Sequence, residues 1–370
     1  MPAIIVRTLM YIYQEQYAWV RWGDTRSDRF PISNGTRQGS IASPSLWSVY
    51  LDPLLKALRS AGVGCHVGGV FLGVMAYADD LILLAPNRAA AAQMLGICEG
   101  WAKDSNVLFS TDLNPKKSKS KVIFMCGMQK QLCKPAPLKL GDRNLPYVET
   151  ATYLGHELHE SGTMDYETRV KKAQFISNSL ETRELFNFAS PAEVLRALKI
   201  YNCSFYGSNL WELGGNMANQ VYNAWGTATR LSWGVPRATR SYLVDNVLCP
   251  ELTSVKDDIL AKYSGFFKGL RLSSSPEVSF MAYQVGRDLR TTTGRNLRFI
   301  SEESGLDPWT ASAAMVKKAL SEKVSAVPEG DAWRLPYLGL LLEQRQFAHY
   351  AGHAEEETRL SNLINSLCIN

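Results

Sequence analysis

The chain has 370 residues, of which 46% are hydrophobic and 20% are charged. These fractions are typical of globular proteins, and they exclude disordered, collagen-like and coiled-coil proteins. Forty Lys and Arg residues against 35 Asp and Glu residues leave a net charge of +5. Such a small excess indicates an acidic partner only if the positive charges cluster.

Cysteine usage and hydrophobicity predict a soluble, intracellular protein. The seven cysteines include no C-x-x-C pair, which is typical of reduced thiols rather than of a disulfide scaffold. The apolar run at residues 68–78 stops at Asp79-Asp80, well short of the roughly 20 residues that span a membrane. The N-terminal apolar stretch contains Arg7 and lacks a signal-peptide pattern. We therefore expect a nuclear and/or cytoplasmic protein with no membrane partner.

The first 60 residues alternate between helix and loop signals. Apolar residues recur at roughly helical spacing over residues 4–22, and Gly23-Asp24 lies between extended residues, which predicts a hairpin. Residues 34–40 form a turn-rich loop with two glycines. Ser43-Pro44 predicts a helix start, with Ser as N-cap and Pro at the first helical position, and the helix should continue to about residue 60.

Two apolar runs of strand length follow, at residues 74–78 and 81–85, and the two residues between them are Asp79 and Asp80. A helix is expected over residues 87–104, then a basic stretch over 114–140 and a strand around 147–158. After residue 166 the pattern is helical almost without interruption, with breaks at Ser273–Pro276 and Pro328–Gly330. The order predicts an α+β protein whose later part is mostly α.

The acidic pair breaks a local rule. Two-residue hairpin loops need positive φ and favour Asn-Gly, Asp-Gly or Gly-Gly, so Asp-Asp is a poor turn. Two adjacent like charges also repel each other unless a positive charge lies between them. A divalent cation such as Mg²⁺ would supply that charge, because carboxylates bind this hard ion directly. The alternative is an exposed acidic turn whose carboxylates face water.

Four segments follow one another in the chain: FPISNGTRQGSIASP at residues 30–44, Tyr77-Ala78-Asp79-Asp80, LNPKKSK at residues 113–119 and Tyr153-Leu154-Gly155. In this order they resemble the reverse transcriptases of non-LTR (LINE-type) retrotransposons. The first is similar to the loop that carries a G-x-x-Q-G pattern before the palm helix, and the second resembles the catalytic hairpin. The third resembles the N-x-x-K-S/T stretch that follows it, and the fourth resembles the hairpin that holds the primer end. Residues 204–211, SFYGSNLW, also resemble these elements.

The resemblance implies an α+β fold with a partial right-hand polymerase palm, in which an antiparallel sheet packs on helices. A mostly helical thumb and a C-terminal extension would follow the palm. The implied segments are a residual fingers/palm helix and hairpin (1–32), the palm (33–147), the primer-grip hairpin (148–165), the helical thumb (166–250) and the extension (251–370).

The resemblance also implies a polymerase site. Asp79 and Asp80 would be catalytic residues that hold Mg²⁺, with two ions in a complete site and Asp79 as the bridging ligand. Lys117 would lie near the nucleotide phosphates and protonate the leaving group. The remaining implied contacts are Arg37, Gln38, Gly39 and Tyr77 for the nucleotide or template, and Tyr153, Leu154 and Gly155 for the primer. The implied partners are an RNA template, a DNA primer and deoxynucleoside triphosphates; the oligomeric state does not follow from the sequence.

The chain departs from the family at the first catalytic carboxylate. The family carries a third aspartate on a strand several tens of residues before the G-x-x-Q-G loop, and only 34 residues run up to and including Asn34. Asp24 and Asp28 fall in the hairpin and Asp52 on the palm helix, so none has the family's context. We therefore expect a C-terminal portion of such a polymerase that is inactive or weakly active as it stands, because each metal would lack a ligand.

Other interpretations remain open. The chain could be a non-catalytic RNA- or DNA-binding remnant that uses the lysine stretch and the thumb helices, or an α+β scaffold that binds no nucleic acid. The lysines that are candidates for phosphate binding could equally be a solvated surface: Lys116, Lys117, Lys119, Lys121, Lys130, Lys134 and Lys139. The Tyr-Leu pair at 153–154 also fits an ordinary core strand. His156 and His159 lack zinc-protease spacing, and we predict a helix-surface pair for His349 and His353.

Overall fold

The computed structural model describes residues 2–32, 35–112, 114, 117–125, 136–248, 252–322 and 334–369. The chain divides into two compact units. The first unit comprises Met1–Thr111 and Pro137–Leu145, and the second comprises Asp112–Ala136 and Pro146–Asn370. Each unit is described by itself below.

The strands of the described residues are short and pair two by two. In chain order they are β1 (Tyr17–Ala18), β2 (Arg21–Trp22), β3 (Thr25–Arg26), β4 (Phe30–Pro31), β5 (His66–Val67), β6 (Val70–Phe71), β7 (Val74–Tyr77), β8 (Asp80–Leu83), β9 (Val122–Ile123), β10 (Lys139–Leu140), β11 (Arg143–Asn144), β12 (Tyr147–Val148), β13 (Thr150–Tyr153) and β14 (His156–His159). The pairs β1–β4, β2–β3, β5–β6, β7–β8, β10–β11 and β13–β14 are antiparallel, and β9–β12 is parallel.

The helices of the described residues lie mostly in the second unit. In chain order they are α1 (Ala3–Gln14), α2 (Ser43–Ala61), α3 (Arg88–Asp104), α4 (Asp165–Leu185), α5 (Pro191–Asn202), α6 (Asn216–Trp233), α7 (Ser241–Leu243), α8 (Val255–Arg271), α9 (Pro276–Arg287), α10 (Thr292–Ser304), α11 (Ala313–Glu322), α12 (Arg334–Tyr350) and α13 (Ala354–Ile369). A 3₁₀ turn at Ser208–Leu210 and a π turn at Val244–Leu248 complete the set.

The helix expected over residues 4–22 is wrong beyond Gln14. Strand β1 pairs with β4, and the backbone N–H of Ile32 donates to the carbonyl of Gln16, so strand pairing replaces the helix there. The hairpin predicted at Gly23-Asp24 is confirmed, since Trp22 pairs with Thr25 around that turn.

The core of the first unit lies between α2 and α3. Leu51, Leu54 and Leu58 of α2 pack with Met94 and Cys98 of α3, at spacings that put each set on one helix face. Helix α3 begins where the sequence predicts it, because the side chain of Asn87 caps it by accepting from the backbone N–H of Ala90.

The second unit has two buried clusters. The larger joins α4–α6 with α8–α11 and contains Trp211 and Trp225. The smaller joins the π turn with α12 and α13. Helix α9 starts at Pro276 with Ser275 as its cap, which confirms the break predicted there, whereas residues 328–330 lie outside the described ranges.

Together these elements confirm the α+β class and the mostly helical character after residue 165. Within the part of the chain that the structure describes, no helix combines the length and hydrophobicity that a membrane span requires.

Candidate functional site

The acidic hairpin forms, but its turn is one residue earlier than predicted. Tyr77 pairs with Asp80, so the loop residues are Ala78 and Asp79, and Asp80 begins β8. Ala78 takes φ +52°, the positive φ that a two-residue loop needs at its first position. This register places Val74, Leu81 and Leu83 on the face that packs against the α2–α3 core. Burial of that face favours this register over one shifted by a residue.

The other face of the hairpin points away from the core. Tyr77 is 66% exposed, and its strand partner Asp80 and the turn residue Asp79 are exposed as well. Among the described residues, neither carboxylate has a hydrogen-bond or ion-pair partner. Because their charges are unneutralised and adjacent, the tip of β7–β8 can take up a cation.

Helix α2 holds both motif loops of the first unit. The indole Nε1 of Trp47 donates to the carbonyl of Ala78 over 2.7 Å. One helical turn earlier, Ser43 Oγ donates to the carbonyl of Arg37 over 2.6 Å. Residues four apart lie on one helix face, so a single face of α2 carries the anchors of the β7–β8 tip and of the Arg37 loop.

This arrangement corrects one expectation and adds a residue that the sequence reasoning missed. Ser43 is not the N-cap, because Ala42 occupies that position. The Ser43 hydroxyl instead donates a hydrogen bond to the carbonyl of Arg37. Trp47 was not predicted as a site residue. Its one sequence signal is an indole N–H near the helix start, which needs an acceptor when half-buried.

The loop at residues 35–40 is exposed and shaped by its glycines. Gly35 and Gly39 take φ of +89° and +82°, a region in which side chains other than glycine are strained. Arg37 and Gln38 lie between them and are exposed, as is Gly39. Asn34, part of the predicted motif, lies outside the described residues. The side chains of Arg37 and Gln38 are therefore accessible to a ligand.

The donor set at the β7–β8 tip fits a hard divalent cation. Two carboxylates on adjacent residues supply the oxygen ligands that Mg²⁺ prefers. In the described ranges, no group of three or more His, Cys, Asp or Glu side chains converges to hold a metal ion. The first unit thus offers a pair of carboxylates, Asp79 and Asp80.

The predicted site residue Lys117 lies in the second unit, on a segment held by its polar neighbours. The backbone N–H groups of Lys117 and Ser118 both donate to the carbonyl of Asn114 over 2.9 Å. Ser118 is buried, and its Oγ donates to the carbonyl of Ser120 over 2.6 Å. Lys117, Lys119 and Lys121 are exposed, whereas Lys116, Lys130 and Lys134 fall outside the described residues.

The predicted primer-holding residues form a second tight hairpin in the second unit. Tyr153 pairs with His156, and the loop residues Leu154 and Gly155 take φ of +50° and +78°. Positive φ at both loop residues is the pattern of a type I′ turn. Tyr206 Oη donates to the carbonyl of Leu154 over 3.2 Å.

His159 and His349 contact neighbouring side chains. His159 Nδ1 lies 2.8 Å from Ser161 Oγ, and His349 Nδ1 lies 3.2 Å from a carboxylate oxygen of Glu357. The helix-surface pair expected for His349 and His353 is wrong, because α12 ends at Tyr350 and His353 lies in the turn before α13.

Comparisons with known proteins bear on the first part of the chain. Residues 2–158 match the family described as "Reverse transcriptase (RNA-dependent DNA polymerase)". The chain is 32% identical over 137 residues to the 115 kDa protein of the type-1 retrotransposable element R1DM of Drosophila melanogaster, covering 35% of this chain and 12% of that protein. It is 33% identical over 138 residues to the retrovirus-related Pol polyprotein of the type-1 retrotransposable element R2 of Popillia japonica, covering 35% of this chain and 18% of that protein.

A third relative is the Pol polyprotein of the type-2 retrotransposable element R2DM of Drosophila melanogaster, which is 31% identical over 107 residues, or 29% of this chain and 10% of that protein. The matches thus span less than a fifth of the length of each of these relatives.

Proposed function

Because residues 2–158 belong to the reverse transcriptase family in its non-LTR retrotransposon form, we propose that this chain carries the catalytic hairpin of an RNA-directed DNA polymerase. Its reaction is the extension of a DNA primer along an RNA template with deoxynucleoside triphosphates. The observation that supports this most is the β7–β8 tip, where two carboxylates that have no partner among the described residues lie beside a carbonyl held by Trp47.

Asp79 and Asp80 hold the metal in this proposal. When bound, two Mg²⁺ ions stabilise the attacking and departing oxygens of an in-line phosphoryl transfer. Asp79, in the turn, and Asp80, on the exposed face at the start of β8, would supply carboxylate oxygens to the ions. The Trp47 hydrogen bond fixes the turn backbone and so limits how far the two carboxylates can spread.

The loop at residues 35–40 and Tyr77 bind the incoming nucleotide and the template. Arg37 supplies a guanidinium for phosphate oxygens, and Gln38 supplies an amide that can both donate and accept hydrogen bonds. Gly39 has no side chain, so the nucleic acid can approach the backbone closely. Tyr77 presents a ring on the same hairpin face as Asp80.

Lys117 and the β13–β14 hairpin complete the proposed roles. The Nζ of Lys117 donates a proton to the pyrophosphate leaving group, a role that its exposed side chain allows. Tyr153, Leu154 and Gly155 hold the primer end, through a turn in which Gly155 is exposed. In this scheme residues 33–147 form the palm, 148–165 the primer grip, 166–250 the thumb and 251–370 an extension, after a fingers/palm remnant at 1–32.

We further propose that this chain by itself is inactive or weakly active. With only Asp79 and Asp80 as carboxylate ligands, each metal would lack a ligand, and such a loss would lower the rate by orders of magnitude. A complementary carboxylate supplied by another polypeptide would restore activity under this proposal.

Mg²⁺-dependent primer extension on an RNA template tests the proposal, with the wild-type chain, Asp79→Asn/Asp80→Asn and the matched control Asp24→Asn. Asp24 is an exposed turn aspartate of the first unit. We expect at most weak extension by the wild type and the control, and none by the double variant. Mn²⁺ binding, measured by electron paramagnetic resonance, should be lost only in the double variant. Equal Mn²⁺ and primer–template binding by all three proteins, without extension, would overturn the catalytic proposal.

Non-catalytic binding of RNA or DNA is the second candidate, and the exposed Lys117, Lys119 and Lys121 on a fixed segment favour it. Phosphate contacts from lysines make affinity fall steeply with salt. Salt-sensitive RNA binding that survives Asp79→Asn/Asp80→Asn, in a chain that never extends a primer, would support this function over the first.

A further inference from the structure

Tyr206 contacts the turn of β13–β14 in two ways. It lies on the loop between α5 and the 3₁₀ turn, inside the SFYGS segment that the proposed function leaves without a role. Its hydroxyl donates to the carbonyl of Leu154 over 3.2 Å, and its ring stacks on that of His156 at a centroid distance of 4.9 Å and an angle of 13°. The turn residue and the first residue of β14 are therefore tied to the same side chain.

A buried glutamate holds the other side of His156. His156 Nδ1 lies 3.0 Å from Glu167 Oε1, a hydrogen bond in which the ring N–H donates to the carboxylate. Glu167, on α4, is 0% exposed, and its second oxygen, Oε2, has no hydrogen-bond partner among the described residues. A buried carboxylate is tolerated only with such a partner, so the pair fixes the orientation of the His156 ring.

The backbone around Tyr206 is shaped to fit this arrangement. Phe205 and Gly207 take φ of +37° and +91°. A Cβ on Gly207 would lie 2.5 Å from His156 Cε1 and 2.8 Å from Glu167 Oε1, so the loop passes closer to the pair than any side chain allows. Leu154 is also in the left-handed region, and such conformations persist only where the surroundings impose them.

We propose that Tyr206, His156 and Glu167 form a latch that positions the Tyr153–Gly155 turn for the 3′ end of a primer. The three side chains come from the SFYGS loop, β14 and α4, and all lie in the second unit. They are positioning residues: they act on the turn and leave contact with the primer to Tyr153, Leu154 and Gly155. That the ligand is a primer rests on the proposed function. The latch itself rests only on the geometry of Tyr206, His156 and Glu167.

The first measurement is hydrogen exchange of the β13 and β14 amides in the free protein. Tyr206→Phe keeps the ring stack and removes the hydrogen bond to Leu154, so we expect exchange to speed up roughly five-fold, as for one net hydrogen bond. The control is Tyr222→Phe, which removes a matched hydrogen bond of 3.0 Å to the carbonyl of Leu213 elsewhere in the same unit. Unchanged exchange in Tyr206→Phe, or the same acceleration in Tyr222→Phe, would overturn the latch.

A rescue variant separates positioning from general stability. Leu154→Asn creates an Asn-Gly loop, which adopts a type I′ turn without external support. Combined with Tyr206→Phe, it is expected to restore slow exchange in β13 and β14. Failure of the rescue, with the fold intact, would show that Tyr206 acts by something other than holding the turn.

The second measurement is the affinity for an RNA–DNA duplex with a recessed DNA 3′ end, compared with a blunt duplex of the same sequence. Tyr206→Phe should weaken binding of the recessed duplex about five-fold and leave the blunt duplex unchanged. If the wild type binds neither duplex, the proposed function fails, while the exchange data still decide whether the latch exists. Equal affinity of Tyr206→Phe and wild type for the recessed end would refute the role in primer positioning.

Discussion

At the scale of single residues, the indole of Trp47 acts on the candidate site through one atom. Its Nε1 reaches the carbonyl of Ala78, the residue that precedes Asp79 and takes a positive φ. The left-handed conformation costs about 1–2 kcal/mol for a residue with a Cβ. The hydrogen bond from Trp47 therefore helps to keep Ala78 in a backbone conformation that is unfavourable for this residue by itself.

We expect Trp47→Phe to speed up hydrogen exchange in β7 and β8 and to weaken Mn²⁺ binding, because the donor to the Ala78 carbonyl is lost while an aromatic ring remains. The loss of global stability should stay near 1 kcal/mol in urea unfolding. Trp101→Phe in α3 removes an indole from the same unit and should leave Mn²⁺ affinity unchanged. Equal Mn²⁺ affinity in wild type and Trp47→Phe would show that the hairpin tip does not need this anchor.

Cys98 allows a test of burial in the first core. Desolvation, with the charge of Glu99 as a smaller cause, raises the pKa of the Cys98 thiol from 9.0 to about 11. Burial favours the neutral thiol, so this group's contribution to stability is complete below pH 9 and is lost as the pH rises to about 11. At pH 8, we expect iodoacetamide to label Cys98 at least about 100-fold more slowly in the folded than in the urea-unfolded chain, from thiolate fractions alone. Equal labelling rates, read by mass spectrometry of the Cys98 peptide, would contradict the burial.

At the scale of elements, the β7–β8 hairpin of the first unit and the β13–β14 hairpin of the second unit share two features. In each, the first loop residue has a side chain and a positive φ: Ala78 at +52° and Leu154 at +50°. In each, its carbonyl accepts a hydrogen bond from an aromatic side chain on another element, Trp47 or Tyr206. An aromatic donor therefore stabilises a loop conformation that the local sequence disfavours, once in each unit.

A pair of glycine substitutions tests the packing around the second hairpin. Gly207→Ala should destabilise the protein by about 2 kcal/mol or more, because φ +91° disfavours a Cβ and the new atom would meet His156 and Glu167. Gly269→Ala, inside α8 with no atom within 4 Å of the new Cβ, should stabilise it by about 0.5–1 kcal/mol. Thermal and urea unfolding measure both, and a neutral Gly207→Ala would argue against the tight approach of the loop.

At the scale of the whole molecule, local patterns predicted the elements, and contacts distant in sequence decided the site. The α+β class, the start of the helix near residue 87 and the hairpin at Gly23-Asp24 follow from signals within a few residues. The Trp47–Ala78 and Tyr206–Leu154 hydrogen bonds join residues 31 and 52 positions apart, so no local pattern reveals them. The one-residue error in the acidic turn has the same cause, since the register depends on which face packs against α2 and α3.

The net charge of the whole molecule gives little support to the proposed nucleic-acid binding by itself. A net +5 over 370 residues gives a weak average field, so the proposed affinity would have to come from local groups of cations. Lys119 and Lys121 are exposed, and they alternate with part-buried neighbours on the segment anchored by Ser118. Within the described ranges, neither lysine forms an ion pair. They are therefore available to phosphates in a way that ion-paired lysines are not.

Salt dependence separates these lysines from the rest of the surface charge. Each phosphate contact with single-stranded RNA contributes about 0.7 to the slope of log affinity against log salt, so Lys119→Ala/Lys121→Ala should reduce that slope by about 1.4. The control Lys56→Ala/Lys318→Ala makes the same change in net charge but removes lysines paired with Asp52 and Glu322. Its slope should match that of the wild type. If the two double variants lose affinity equally, binding follows net charge, and the lysine segment is a solvated surface rather than a nucleic-acid contact.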